Sequence, residues 1–270
     1  MKFTPTKFFK YKNPPFLALV VVMFGLFCSS SAYGQIDYSY GVSKKGFRVG
    51  VGLGASQLQS NWSKTSIGPA GILYLDYDLS PYFTIGLDGS FGQLTGTDAE
   101  NKLYFTKTSV VFAGGSLTFK IALGQFADFK SKNGFQDAMK RLYVGVGIGE
   151  VYSNFTLTPH TDGKGLPSLV VSGLAYGKIP PGTKQKSNGT FAGNITVTQI
   201  PVSFGTNIAL RGFLGNDKVE LNPNLQYVFV QSPYFDGYQP NSQPDPNNPL
   251  IGVNGNQAYF VGSLTLRFKF

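Results

Sequence analysis

Apolar and polar residues alternate with a period of two along most of this chain. From Ala258 to Phe270 every second residue is apolar or glycine, and the residues between them become polar and then basic. Successive side chains of a β-strand point to opposite faces. This segment therefore predicts a long strand with one apolar face, and about 9–11 residues are enough for a strand that crosses a lipid bilayer.

The same alternation recurs often enough to predict a complete barrel. Counting the last segment it occurs eight times, at residues 47–56, 73–79, 83–91, 111–121, 142–149, 202–211, 220–229 and 258–270. Closed antiparallel barrels of bacterial outer membranes have an even number of strands. The expected fold class is therefore all-β, an eight-stranded antiparallel transmembrane β-barrel with long extracellular loops.

The connections between these segments differ in length in an alternating way. Those at 80–82 and 213–218 are short, whereas those at about 58–66, 95–107, 159–192 and 232–256 are polar and mostly longer. Outer-membrane barrels have short periplasmic turns and longer extracellular loops. The connection at about 122–140 is long for its position, and its residues 134–140 are expected to form one or two helical turns.

A soluble β-sandwich also gives each strand one apolar and one polar face, so alternation alone leaves that alternative open. Composition favours the membrane, because only 14% of the residues are charged, where about 25% is usual. The 34 glycines suit the inward positions of a narrow barrel. Aromatic residues also stand near strand ends, as in the girdles of membrane barrels; they are Phe47, Tyr77, Phe83, Phe119, Phe229, Phe268 and Phe270.

Three segments carry a resemblance to a known family, namely 79–82, 200–205 and 263–270. On these residues the region 46–270 resembles the small OmpA/OmpX-like outer-membrane β-barrel proteins. The resemblance implies an eight-stranded barrel in the cell outer membrane, with both termini periplasmic, and a role in envelope integrity, adhesion or surface interaction. Phe268 and Phe270 match the C-terminal signal that the outer-membrane insertion machinery reads. The peptidoglycan-binding domain of full-length OmpA is not expected here, so cell-wall anchoring is not carried over.

The N-terminal residues predict export. Four lysines without an acidic residue precede an apolar run at 16–27, and small polar residues follow it. That order is typical of a secretory signal peptide. We expect cleavage between Gly34 and Gln35. This divides the chain into a signal peptide (1–34), a short N-terminal periplasmic segment (35–45) and the barrel (46–270).

Removal of the signal peptide changes the charge and the redox chemistry of the chain. The four lysines leave with it, so the formal charge falls from +9 to 19 − 14 = +5, and nucleic-acid binding is not expected. The only cysteine, Cys28, leaves as well, which excludes a disulfide framework. A lipoprotein signal that uses Cys28 is the alternative, although Phe27 stands before it where a small residue is usual.

Charged residues on the polar faces predict an interior network. These residues are Arg48, Asp76, Asp78, Asp88, Lys120, Arg211, Glu220, Arg267 and Lys269. An eight-stranded barrel is just wide enough inside for its own side chains, and unpaired charges there are costly. We expect ion pairs that fix the strand register and close the lumen. A gated pore or a ligand site lined by the same charges is the alternative.

The long loops are the expected functional surface. Loop 159–192 is basic, with Lys164, Lys178, Lys184 and Lys186 against Asp162. It is expected either to meet lipopolysaccharide phosphates or another anionic partner, or simply to be solvated. Loop 232–256 contains five prolines and is expected to form a stiff, irregular cover over the barrel mouth. The expected partners are outer-membrane lipid including lipopolysaccharide, the insertion machinery, and a protein bound through these loops.

Residues that carry chemistry are scarce. The single histidine, His160, stands at the start of a long loop, whereas catalysis on lipopolysaccharide would pair a histidine with a serine of a neighbouring strand. We expect no catalytic, cofactor-binding or metal-binding residues, and hence a monomeric structural or surface-interaction barrel. The alternatives are a narrow channel, an accessory subunit of an envelope transport or secretion system, and a lipopolysaccharide-modifying enzyme.

Overall fold

Eight long strands form where the alternating segments predict them. The computed structural model describes residues 46–60, 62–80, 82–98, 105–123, 138–159, 177–186, 189–210, 218–240 and 257–270. The long strands are β1 (Phe47–Gln59), β2 (Lys64–Asp78), β3 (Phe83–Thr97), β4 (Phe105–Ala122), β5 (Leu142–Pro159), β8 (Phe191–Thr206), β10 (Val219–Val230) and β12 (Gln257–Lys269). Four two-residue strands lie between them: β6 (Gly177–Lys178), β7 (Lys184–Gln185), β9 (Ile208–Ala209) and β11 (Gln239–Pro240).

The eight long strands close into an antiparallel barrel. Their order is β1-β2-β3-β4-β5-β8-β10-β12, and β12 pairs with β1. A path that passes from each residue to its partner on the next strand, once around the barrel, starts at Phe47 and ends at Gln57. It runs through Tyr77, Ile85, Phe119, Val146, Val202, Tyr227 and Phe260. The path returns to β1 ten residues beyond Phe47, so the strands are staggered by a shear of ten and tilt as a closed barrel requires. The predicted fold class is confirmed.

The two ends of the barrel differ. At the turn end, residues 79–82 join β2 to β3, and the Ser80 hydroxyl accepts hydrogen bonds from the backbone N–H groups of Tyr82 and Phe83. Of the helical turns expected at this end, residues 138–140 are helical, and 134–137 lie outside the described residues. The other end, called the loop end, carries the connections 60–63, 98–104, 160–190 and 231–256.

An apolar belt covers the outside of the barrel. On β1 the outward residues Val49, Val51 and Leu53 are all exposed, Leu53 by 79%. Aromatic rings border the belt at the turn end, where Phe83 stacks on Phe119 at 5.5 Å. A barrel that exposes such a continuous apolar surface matches the lipid-facing band of membrane-spanning barrels. No helix among the described residues is long and apolar enough to cross a membrane.

The strands extend beyond the alternating segments at the loop end, which corrects three predicted loops. β2 begins at Lys64, β4 at Phe105 and β8 at Phe191, so the loops predicted at 58–66, 95–107 and 159–192 are shorter. The physical reason is a change of environment along each strand. Beyond the belt the outward residues become polar, whereas the inward residues become apolar, so the pattern that marked the strand is inverted.

Strand β4 shows this inversion most clearly. Its outward residues change from Leu117 and Val111 in the belt to Lys107 near the loop end, which is exposed. Its inward residues change from Lys120 near the turn end to Phe112, which is 1% exposed. The barrel therefore has a polar interior at the turn end and an apolar interior, like that of a water-soluble barrel, at the loop end.

Candidate functional site in the barrel interior

Asp76 is the centre of an ion-pair cluster inside the turn end. The Nζ of Lys120 on β4 lies 2.7 Å from Asp76 Oδ1 and 2.9 Å from Asp88 Oδ1. The guanidinium of Arg267 on β12 lies 3.0 Å from Asp76 Oδ2. Asp76 has no exposed surface and Arg267 only 1%. Strands β2, β3, β4 and β12 are thus joined across the lumen by four charged side chains.

The ring of Tyr74 lies between the two cations of this cluster. Lys120 Nζ stands 4.6 Å from the ring centroid, and Arg267 Cζ stands 4.5 Å from it. The Tyr74 hydroxyl accepts a hydrogen bond from the side-chain amide of Asn224. Both cations therefore gain a cation–π contact in addition to their carboxylates.

A second cluster lies closer to the turn end. Arg48 pairs with Asp78, and its Nη1 also lies 3.4 Å from Glu220 Oε2. Arg141, immediately before β5, donates to the other oxygen of Glu220 at 3.1 Å. The Thr84 hydroxyl donates to Asp78 Oδ1 at 2.7 Å. Together the two clusters contain four cations and four carboxylates, so their formal charges balance.

The structure places the nine charged residues of the predicted network as follows. Seven of them are buried inside the barrel and take part in these two clusters: Arg48, Asp76, Asp78, Asp88, Lys120, Glu220 and Arg267. Lys269 is half-buried on β12 and paired in register with Arg48. Arg211 lies outside the described residues. Arg141 was not among the predicted network residues, because it stands one residue before the alternating segment at 142–149 and outside its alternating pattern.

Glycine on β3 creates the space that Asp76 occupies. A Cβ atom added at Gly86 would collide with Asp76 Oδ1 and would lie 3.1 Å from the hydroxyl of Thr118. Gly86 is paired with Asp76 in the strand register. A side chain at this position would therefore displace the central carboxylate.

The loop-end half of the interior is an apolar core. Phe112 and Tyr259 approach each other to 4.8 Å between ring centroids, and Phe235 stacks on Tyr259 at 5.4 Å. Phe105 meets Tyr238 edge-on at 5.1 Å. Phe235 and Tyr238 belong to the connection after β10, so part of that loop folds into the barrel rather than over it.

Residues 232–238 form an inserted plug, which corrects the cover predicted for this part of loop 232–256. Thr108 and Ser153 donate hydrogen bonds to the carbonyl oxygens of Asp236 and Phe235, at 2.7 Å and 2.9 Å. Gln257 accepts from the backbone N–H of Asp236 at 2.9 Å. The sequence predicted a stiff polar loop. In the structure the side chains of Phe235 and Tyr238 are buried in the barrel, and these hydrogen bonds hold the loop there. Residues 241–256 lie outside the described residues.

The carboxylate of Asp236 is buried among uncharged groups of the plug and of the connection after β1. Its Oδ2 accepts from Trp62 Nε1 at 2.9 Å, and its Oδ1 accepts from the backbone N–H of Tyr238 at 3.1 Å. Burial raises the pKa of Asp236 above its usual range, although these donors partly oppose that shift. The inserted plug therefore retains the Asp236 proton to a higher pH than a released plug does.

We expect plug docking to weaken as the pH rises, because a raised pKa favours insertion at low pH and loses that contribution as the pH passes through the raised value. Trp62 is the only tryptophan, so its emission reports on the plug. Between about pH 4, the ordinary range for aspartate, and neutral pH, emission should move to longer wavelength. Asp236→Asn should remove this dependence, and an unchanged profile in that variant would contradict the assignment.

The remaining predicted residues lie near the barrel ends. Phe268 is outward-facing and Phe270 is 79% exposed, with its backbone N–H 2.9 Å from the carbonyl of Phe47. Lys184 and Lys186 are exposed at the loop end, and Lys178 lies in β6. Gly34, Gln35, Lys164 and His160 lie outside the described residues. Among the residues that the structure does describe, no group of three or more His, Cys, Asp or Glu side chains is placed to hold a metal ion.

The fold and its filled interior define a class of protein, a small membrane-spanning β-barrel of eight strands. No protein-family profile matches the chain, and no curated protein matches its sequence.

Among solved structures the chain is similar to Neisserial surface protein A, with 10% identity and a TM-score of 0.41, covering 84% of this chain and 100% of that one. It is similar to Ail, the attachment invasion locus protein of Yersinia pestis, with 9% identity and a TM-score of 0.39 over the same shares. It is also similar to CarO2 of Acinetobacter baumannii, with 14% identity and a TM-score of 0.38, again over 84% and 100%.

Proposed function

We propose that this protein is an integral outer-membrane barrel with a structural and surface-interaction role, and that it is a scaffold rather than a conduit. The observation that supports this is the filled lumen. Charge-balanced clusters occupy its turn end, and the apolar core with the plug occupies its loop end. We further propose that the turn end and both termini are periplasmic and that the loop end faces outwards, since outer-membrane barrels keep their short turns inside.

Conductance tests the scaffold role. Purified protein reconstituted into a planar bilayer should give no sustained current steps, because an ion would have to cross a closely packed interior whose buried polar groups already have partners in the plug. A wide water-filled porin inserted in the same way is the positive control. Heat-modifiable gel migration of the same sample shows that the barrel is folded. Sustained steps from heat-modifiable protein would favour the channel alternative.

We propose that the interaction surface is formed by loops 159–192 and 232–256 together. Their described parts are joined, because β6 and β11 pair through Lys178 and Gln239. β7 adds exposed Lys184 to the edge of β8, and Lys186 follows it. A basic surface held on a rigid barrel suits an anionic partner, and lipopolysaccharide phosphates are one. The alternative of lipid-modifying catalysis depends on His160, and no observation in the described barrel favours it.

The double variant Lys184→Glu/Lys186→Glu tests this surface. We expect protein in nanodiscs to lose at least half of its binding to immobilised lipopolysaccharide at low salt, since each exposed lysine contributes a screened attraction. The double variant Lys184→Arg/Lys186→Arg is the matched control and should bind as the parent does. Equal binding by the Glu and Arg variants would move the interaction to another surface.

A further inference from the structure

Charged residues are rare on the outward faces of the eight long strands, and they stand on one side of the barrel. They are Lys64 on β2, Lys107 on β4 and Glu150 on β5, and all three are exposed. The outward positions of β8, β10, β12 and β1 carry no charge. The two lysines lie near the loop end of their strands, beyond the apolar belt. The outer wall therefore has one side that suits an anion.

The two lysines flank the same residue of β3. Thr97 is paired in the strand register with Lys64 on one side and with Lys107 on the other. Adjacent strands are about 4.8 Å apart, so the two lysines lie about 10 Å apart across the wall. Neither forms an ion pair with a described residue. Glu150 stands eight residues from Thr158, the β5 partner of Lys107, which is about 26 Å along the strand, too far to neutralise them.

A β-bulge turns Lys64 outwards. The even-numbered residues of β2 are buried inside the barrel from Ala70 onwards, whereas Lys64 and Ser66 are exposed. The change occurs where the register with β3 shifts, between Ser66 and Ala70. Without this shift the alternation of the strand would direct Lys64 into the apolar loop-end interior. Bulges re-aim side chains in this way, and this one sets a second cation beside that of Lys107. We call Lys64, Thr97 and Lys107 the lysine wall.

The surface between the belt and the lysine wall changes from apolar to uncharged polar groups. The last large apolar residues of the belt on these strands are Ile67, Phe91 and Val111, all exposed. Hydroxyl and amide side chains follow toward the loop end, where Gln93 donates to the hydroxyl of Ser109 at 3.2 Å. The order of apolar surface, neutral polar groups and ammonium groups matches a lipid that carries acyl chains, sugars and phosphates in the same order.

We propose that the lysine wall binds one molecule of lipopolysaccharide from the surrounding outer leaflet, with its acyl chains on the belt and two headgroup phosphates at Lys64 and Lys107. Each phosphate gains a charge-assisted hydrogen bond from an ammonium group. The site is distinct from the loop surface at Lys184 and Lys186, because the lipid reaches it laterally within the membrane. The inference rests on the outward orientation of the loop end in the proposed function.

Native mass spectrometry of the full barrel in mild detergent tests the lysine wall, with bisphosphorylated and monophosphorylated lipid A of identical acyl chains as probes. The parent should retain one bisphosphorylated molecule, about fivefold more tightly than the monophosphorylated one, the scale of one partly exposed ion pair. Lys64→Gln/Lys107→Gln should lose this preference, because the amides carry no charge. Lys64→Arg/Lys107→Arg is the matched control and should keep it.

The loop lysines supply the comparison that separates the two sites. Lys184→Gln/Lys186→Gln should retain lipid A as the parent does, and loss of the preference in that variant alone would overturn the lysine wall while supporting the loop surface of the proposed function. A parent without the preference, or a Lys64→Gln/Lys107→Gln variant that keeps it, would also overturn the proposal. Heat-modifiable migration shows that each sample is folded, and its absence from the parent would count against the membrane barrel itself.

Discussion

Replacing Asp76 by asparagine should lower the free energy of unfolding by about 3–5 kcal/mol, which is the cost of removing one partner from a buried ion pair. Asp76 serves both Lys120 and Arg267, so the amide leaves the lumen with an uncompensated cation. Urea unfolding in lipid vesicles, followed by heat-modifiable gel migration, measures the loss. Arg267→Leu should also lower resistance to heat unfolding in detergent, since it removes the same pair from the other side.

A charge-balanced variant separates the ion pair from general damage. Asp76→Asn combined with Arg267→Met restores equal numbers of cations and carboxylates, and it should be more stable than Asp76→Asn alone. Lys107→Gln removes an exposed charge outside the lumen and should change stability by no more than about 0.5 kcal/mol. If Asp76→Asn unfolds at the same urea concentration as the parent, the network does not hold the barrel together.

Truncating Phe235 to alanine should release the plug while leaving the rest of the barrel folded. Phe235 has no exposed surface and stacks on Tyr259, and a buried Phe→Ala change costs about 3–5 kcal/mol. If opening of the plug controls exchange, its backbone amides should exchange hydrogen about 10²–10³ times faster. Hydrogen-exchange mass spectrometry of residues 231–240 measures this.

Tyr234→Ala is the control variant for Phe235→Ala. Tyr234 lies in the same loop but is only half-buried, so Tyr234→Ala should accelerate exchange much less than Phe235→Ala. Amides of β1 and β12 near the ion-pair clusters should keep their protection in both variants. Parent-like exchange in Phe235→Ala would show that polar contacts alone, such as the bond from Trp62 to Asp236, hold the plug.

The sequence predicted the barrel because lipid imposes a strict rule on a strand that crosses it. Outward positions such as Leu53 and Leu117 must be apolar, inward positions must fit a narrow polar lumen, and the two alternate with the period of the backbone. The same rule predicted which charged residues face inwards. Beyond the belt the rule no longer applies, and there the strands extend past the alternating segments: β8 begins at Phe191, whereas its alternating segment begins at residue 202.

The sequence by itself determined the strand number, the inward or outward direction of most belt residues, and the separation of short turns from long loops. Only the tertiary structure decided which charges share a partner, because pairs such as Asp76 with Arg267 depend on the shear of the closed barrel. The plug also required it, since its hydrogen-bond partners Thr108 on β4 and Ser153 on β5 are distant from it in sequence.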